Sequence, residues 1–105
     1  MNSTYQACIE ACQQCVVDCQ HCLIEMAGKK SMNDCPKCCV VCIDACLVAI
    51  KMMAANSEWA AKYCQLCAEI CDYCAEQCGE HNHEHCQQCA ESCRRCAEAC
   101  RKMAA

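Results

Sequence analysis

Phenylalanine is absent from this chain of 105 residues, tryptophan occurs once and tyrosine three times, so large rings do not fill its interior. Basic clusters are missing as well. Lys and Arg form nothing larger than adjacent pairs such as Arg94-Arg95 and Arg101-Lys102, and the net charge is −4, which excludes nucleic acid as the expected partner. No apolar run approaches about 18 residues without a charge, so neither a spanning helix nor a membrane partner is expected. The opening residues Met1 to Gln6 lack the basic-then-apolar plan of a secretory signal, and the expected compartment is the cytoplasm.

What fills the apolar fraction is cysteine. Of the 56% apolar content, 20 residues are Cys, and without them the remainder is ordinary, so the core is expected to be built largely from thiols. Cysteine at this density fits either a disulfide-stapled scaffold or a metal protein. Spacing separates the two. Cys64, Cys67, Cys71, Cys74 and Cys78 are separated by 3, 4, 3 and 4 residues, and Cys86, Cys89, Cys93, Cys96 and Cys100 repeat that pattern 22 positions later. Alternation of 3 and 4 is one face of an α-helix, where a bundle normally places Leu or Ile. Helices in a bundle pack about 8–10 Å apart, whereas a disulfide needs Cα atoms within about 7 Å. Reduced thiols are therefore expected.

Two further stripes precede these. Cys8, Cys12, Cys15, Cys19 and Cys22 lie on a first helix, and Cys35, Cys38, Cys39, Cys42 and Cys46 on a second, broadened by the adjacent pair Cys38-Cys39. Ser3 with Gln6 reads as a capping box, Gly28 and Gly79 as helix stops, Pro36 as a start signal, and Asn56-Ser57 as a cap. These signals predict helices over residues of about 4–27, 35–54, 58–78 and 83–103. The expected fold is all-α, one domain over 1–105, an up-down-up-down antiparallel four-helix bundle with a cysteine-lined core. In the second helix only Lys37, Asp44 and Lys51 are clearly polar between Cys35 and Met53, so its outer face is expected to form a homo-oligomer interface.

Alternating helix direction would gather Met26, Met32 and the loop histidines His81, His83 and His85 at one end of the thiol column. His85 lies about 60° from the centre of its stripe, while His21, about 140° away from its own, is expected outside. Imidazole and thioether donors can pass a soft cation inward, which makes His81, His83 and His85, with Met26, candidates for metal loading. Tyr5, Met53, Trp59, Tyr63 and Met103 gather at the opposite end, which reads as a plug.

Replacing large core residues by small ones costs about 2–5 kcal/mol each when a cavity remains, so twenty core thiols imply space that is to be filled. Bound metal is the candidate. Five tetrathiolate Zn sites would bury about ten negative charges. Cu(I) is soft, monovalent and content with two or three bridging thiolates, so about one Cu(I) per thiolate leaves the column neutral. A zinc or cadmium buffer and a thiol–disulfide redox reservoir are the alternatives. Catalysis is not expected: no Cys-x-x-Cys pair is singled out, there is no βαβ pattern, and no inward carboxylates complete a di-iron site.

Four Cys-striped helices, with the segment Cys78-Gly79-Glu80-His81-Asn82-His83-Glu84-His85-Cys86, resemble the bacterial copper storage proteins, in particular their cytosolic branch, over nearly the whole chain. The resemblance implies storage of many Cu(I) ions along a bundle core, all twenty cysteines as ligands, loading and release at the His-bearing end, and a homotetramer. Exported relatives carry a signal peptide, absent here. A copper chaperone or recipient enzyme is the expected further partner.

Overall fold

The computed structural model describes residues 3–104, with side chains from residue 5 onward. Four helices follow one another: α1 (Ser3–Met26), α2 (Lys37–Ala54), α3 (Ala60–Gly79) and α4 (Glu84–Ala104), with no strand among the described residues. The molecule measures 41 × 19 × 17 Å, its long axis set by helices of about 27–36 Å together with the loops that join them. Each helix packs against the next and α1 packs against α4, while the diagonal pairs meet only through side chains. Sulfur contacts fix the directions. Cys22, near the end of α1, meets Cys35 before α2 and Cys86 at the start of α4, whereas Cys8, at the start of α1, meets Cys100 near the end of α4. Neighbouring helices are thus antiparallel.

Local chemistry accounts for most boundaries. Gly28 ends α1 with φ +81°, a left-handed conformation that glycine adopts without steric cost. Gly79 serves differently. A Cβ there would lie 3.1 Å from Arg94 Nη2 and 3.7 Å from Ala90 Cβ, so the glycine permits close approach of α3 and α4. The buried alanines Ala68, Ala75, Ala90 and Ala97 are equivalent across the 22-residue repeat, and their small side chains give these two helices the most extensive contact in the bundle. Helix α2 starts at Lys37, two residues later than the sequence spacing predicts, because Pro36 takes the capping position after a cis Cys35–Pro36 bond. Cys35 therefore sits in the loop. Likewise α3 starts at Ala60, with Ser57 Oγ accepting from the Trp59 N–H at 3.0 Å. The proposed Ser3–Gln6 capping box involves the Ser3 side chain, outside the described side chains; Gln6 donates to Glu10.

The interior is sulfur. All twenty cysteines are buried, joined by Met26, Met53, Ala49 and the seam alanines. One buried polar link crosses the α1–α4 seam, where Ser92 Oγ donates to Asp18 and Gln14 Nε2 donates to the same carboxylate at 3.1 Å. On the outside, Val40, Val41 and Leu47 of α2 are exposed, and α3 adds Tyr63, Leu66 and Tyr73. Trp59 and Tyr63 do not plug the far end of the column, contrary to the sequence reading. Trp59 lies before α3 rather than on its inner face, is 52% exposed, and carries Lys62 Nζ 5.3 Å from its ring centroid. Met53 is fully buried there, with Tyr5 and Met103 half-buried.

Candidate metal centre

The 3-4 spacing turns the cysteine stripes inward, and the antiparallel arrangement stacks them in layers. At the end that carries the two helix-connecting loops 27–36 and 80–83, Cys22 stands 3.8 Å from both Cys35 and Cys86, and Cys35 stands 3.4 Å from Cys78. The next layer holds Cys19, Cys38, Cys39, Cys74 and Cys89, with Cys39 3.7 Å from Cys89 and Cys19 3.6 Å from Cys89. In the middle, Cys15, Cys42, Cys71 and Cys93 are linked at 3.7, 3.7 and 3.5 Å. Cys12, Cys46, Cys67 and Cys96 follow, with Cys12 3.5 Å and Cys46 3.7 Å from Cys96. The last layer has Cys8, Cys64 and Cys100, all buried, with Cys8 3.7 Å from Cys100. Here α2 supplies Ala49 and Met53 instead of a thiol.

An ion held about 2.3 Å from three or four sulfurs keeps them about 3.8–4.0 Å apart. The column already has that spacing between layers as well as within them, for example 3.9 Å from Cys15 to Cys19 and 3.8 Å from Cys12 to Cys100. Four-sulfur groups within mutual reach of one ion include Cys12, Cys46, Cys67 and Cys96, one from each helix, and Cys22, Cys35, Cys39 and Cys78. All twenty cysteines are free thiols. The Cys38-Cys39 pair places both sulfurs within 3.8 Å of Cys78, so each has a shared neighbour.

Burial favours the protonated form of two thiols at the mouth. It pushes Cys35 up to about 12 and raises Cys86. Deeper in, hydrogen bonds between thiols shift neighbouring sulfurs in opposite directions. Donation from Cys19 and Cys42 favours the thiolate at Cys15, and the same Cys15–Cys19 bond raises Cys19. A soft metal is the counter-charge that removes these protons.

The histidines divide into two groups. His81 is buried, and its Nε2–H donates to Asn33 Oδ1 at 3.0 Å beside Ser31 Oγ at 3.1 Å. Asn33 also accepts from the Cys35 N–H at 3.0 Å and donates to the Gln77 carbonyl at 2.8 Å. Asp34 N–H donates to Gln77 Oε1 at 2.8 Å, and Gln87 Nε2 donates to the carbonyls of His81 and Gly79 at 2.6 and 2.9 Å. This network clasps the two loops together over the column and fixes the backbone that carries Cys35. His83 and His85 stack with centroids 5.1 Å apart, and His21 meets His85 edge-on at 6.3 Å. His21 is exposed, in keeping with its outward phase, yet it joins the group at this end. The Nε2 of His85 is buried without a hydrogen-bond partner. Burial and then Lys29 lower the His85 pKa, which leaves the ring neutral with a lone pair to give. Met26 is buried at the base of this region and Met32 is exposed.

No helix of the described chain is long and apolar enough to cross a membrane. The family model for copper storage proteins matches residues 1–105. None of the curated protein sequences compared with the chain is similar to it. Among solved structures, apo copper storage protein 3 from Bacillus subtilis is 43% identical, with a TM-score of 0.90 over 95% of this chain and 98% of that one. The Cu(I)-bound copper storage protein BsCsp3 is 41% identical, with a TM-score of 0.92 over 97% and 99% of the two chains. A protein from Nitrosospira multiformis is 35% identical, with a TM-score of 0.87 over 99% and 97%. With twenty inward thiols, a family match over its whole length and relatives at these identities, the chain belongs to the copper storage protein family.

Proposed function

We propose that this chain stores Cu(I) as thiolate-bound ions along the whole column, about one per cysteine, with all twenty cysteines as ligands. The observation that carries the reading is the continuity of the sulfurs. Links of 3.4–4.0 Å run from Cys35 at the loops to Cys8 at the far end, so that every ion site shares ligands with the next. Shared thiolates suit a monovalent ion that tolerates low coordination. Cu(I) bound to a relative at 41% identity supports the choice of metal. The four-sulfur groups favour a second reading, a zinc or cadmium buffer, which is weaker because tetrathiolate sites would leave about two uncompensated charges each in a water-poor core.

The fully reduced protein, titrated anaerobically with Cu(I) against a competing chelator, is expected to take up about one ion per thiol. A parallel Zn(II) titration is expected to show weak, low-capacity binding. Saturation near five ions with tight zinc binding would replace the copper reading by the zinc one.

Loading is assigned to the loop end. There His83, His85 and His21 offer imidazoles, His81 holds the loops over the first thiol layer, and Met26 lies beneath them. Joint replacement of His81, His83 and His85 by Ala is expected to slow loading and leave capacity unchanged; unchanged rates would remove the assignment. The exposed apolar face of α2, extended by Leu66 and Tyr73 of α3, is the assigned contact of a homotetramer. The reading is non-catalytic and cytoplasmic, with a copper chaperone or recipient enzyme as the destination of the stored metal.

A further inference from the structure

Several surface grooves touch a core cysteine. Those at Cys67 and Cys38 lie on the apolar α2–α3 face among Val41, Leu66 and Ile70. A groove of different character lies between the start of α1 and the end of α4, far from the histidines. Its volume is about 260 Å³, and it is lined by Cys8, Arg95, Glu98, Ala99, Lys102 and Met103. Arg95, Glu98 and Lys102 line it from α4, two cations with one carboxylate on the same wall, and Met103 and Cys8 complete the lining. Lys102 makes no ion pair among the described residues, and Arg95 pairs only with the exposed Glu91 on its own helix.

We propose that this groove is a second docking site for copper, one that receives Cu(I) as a small anionic thiolate complex and passes it to Cys8. The inference rests on the storage reading. Cu(I) travels on soft ligands, and a carrier thiol that bears carboxylates makes the complex strongly negative, which suits Arg95 and Lys102. Cys8 lines the groove yet is 1% exposed, so a complex must seat closely there to meet its sulfur. From there the sulfurs run inward without a gap: Cys8 to Cys100 at 3.7 Å, Cys100 to Cys12 at 3.8 Å, Cys12 to Cys96 at 3.5 Å. Transfer is ligand exchange. One carrier S–Cu bond breaks as the Cys8 Sγ–Cu bond forms, and the Cys8 proton leaves on the released carrier thiol. A second exchange at Cys100 frees the other carrier thiol in the same way. Copper remains Cu(I), and no electron is transferred.

The test uses the full reduced chain in anaerobic stopped-flow mixing with two donors, the Cu(I) complexes of mercaptosuccinate and of 2-mercaptoethanol. Charge reversal by Arg95→Glu with Lys102→Glu is expected to slow transfer from the mercaptosuccinate complex about tenfold, an effect that salt near 1 M should erase. Transfer from the mercaptoethanol complex should change less than about twofold, with final capacity unchanged. The milder pair Arg95→Gln with Lys102→Gln repeats the measurement if the reversed pair loses helix content. Wild-type rates in the charge variants for both donors would overturn the groove while leaving storage intact. A wild-type chain that takes copper from neither donor would overturn the storage reading and this one with it.

Discussion

Removal of the middle layer of thiols, by replacing Cys15, Cys42, Cys71 and Cys93 with Ala, tests whether copper moves along the column by hand-off between sulfurs. In the intact chain these residues bridge the two halves, with Cys15 3.9 Å from Cys19 and Cys42 3.5 Å from Cys71. Without them the nearest sulfurs on α1 are Cys19 and Cys12, seven residues apart, which is about 10 Å along a helix. A two-coordinate ion spans only about 4.6 Å between its sulfurs, so it cannot bridge that gap. Nine thiols remain on the loop side and seven beyond. Capacity should fall by four, and uptake should split into two phases of about nine and about seven ions. Each deletion costs the apo fold about 1 kcal/mol, so the variant stays folded if stability is in the usual range of about 5–15 kcal/mol. The assay is anaerobic rapid mixing with a coloured Cu(I) chelate, with circular dichroism to verify the helices. A single phase that fills all sixteen remaining thiols, in a chain that also carries Arg95→Glu and Lys102→Glu to close the far groove, would refute the hand-off.

Other consequences follow from the same geometry. Burial raises Cys35 to about 12 from 9.0, so its contribution to apo stability is complete below about pH 9 and is lost as pH rises toward 12; denaturant midpoints at pH 8 and 11 should show the decline. Since the thiols bind copper as thiolates, loading should release protons and strengthen with rising pH, by up to tenfold per pH unit for each proton displaced. Asn33→Ala leaves the His81 Nε2–H and the Cys35 N–H without their shared acceptor and should cost about 1–3 kcal/mol, read as a lower apo Tm. Val41→Glu with Leu66→Glu places charge on side chains that are 54% and 50% exposed in the single chain, so the monomer should stay folded while sedimentation shows loss of the proposed tetramer. An unchanged sedimentation coefficient would sink the α2–α3 contact.

Cysteine periodicity carried most of the architecture. A 3-4 repeat of one small residue type over four segments leaves few ways to bury the stripes, and the structure buries all twenty sulfurs in one column. What the repeat could not convey lies at the helix ends. Cys35 continues the α2 stripe in sequence, but Pro36 holds it in the loop, where Asn33 rather than the helix fixes its backbone. His81 and Asn33 are 48 positions apart, and only the meeting of two loops brings them together. His21 points away from its own stripe, yet α4 starts beside that flank of α1 and sets His85 against it. Helical phase describes one helix against its own axis; the neighbour's position is a tertiary fact. The apolar outer face was legible on α2, where nearly every residue is apolar. Its extension to Leu66 and Tyr73 was hidden because the exposed side of α3 mixes these with Glu69 and Asp72.

Native mass spectrometry of the reduced chain saturated with Cu(I) tests the central claim most directly, because it counts ions and protons together. The account predicts close to twenty copper masses gained, with one proton mass lost for each thiol engaged, so that the filled column is electrically neutral. Saturation at about five ions, or binding that leaves most thiols protonated, would contradict it.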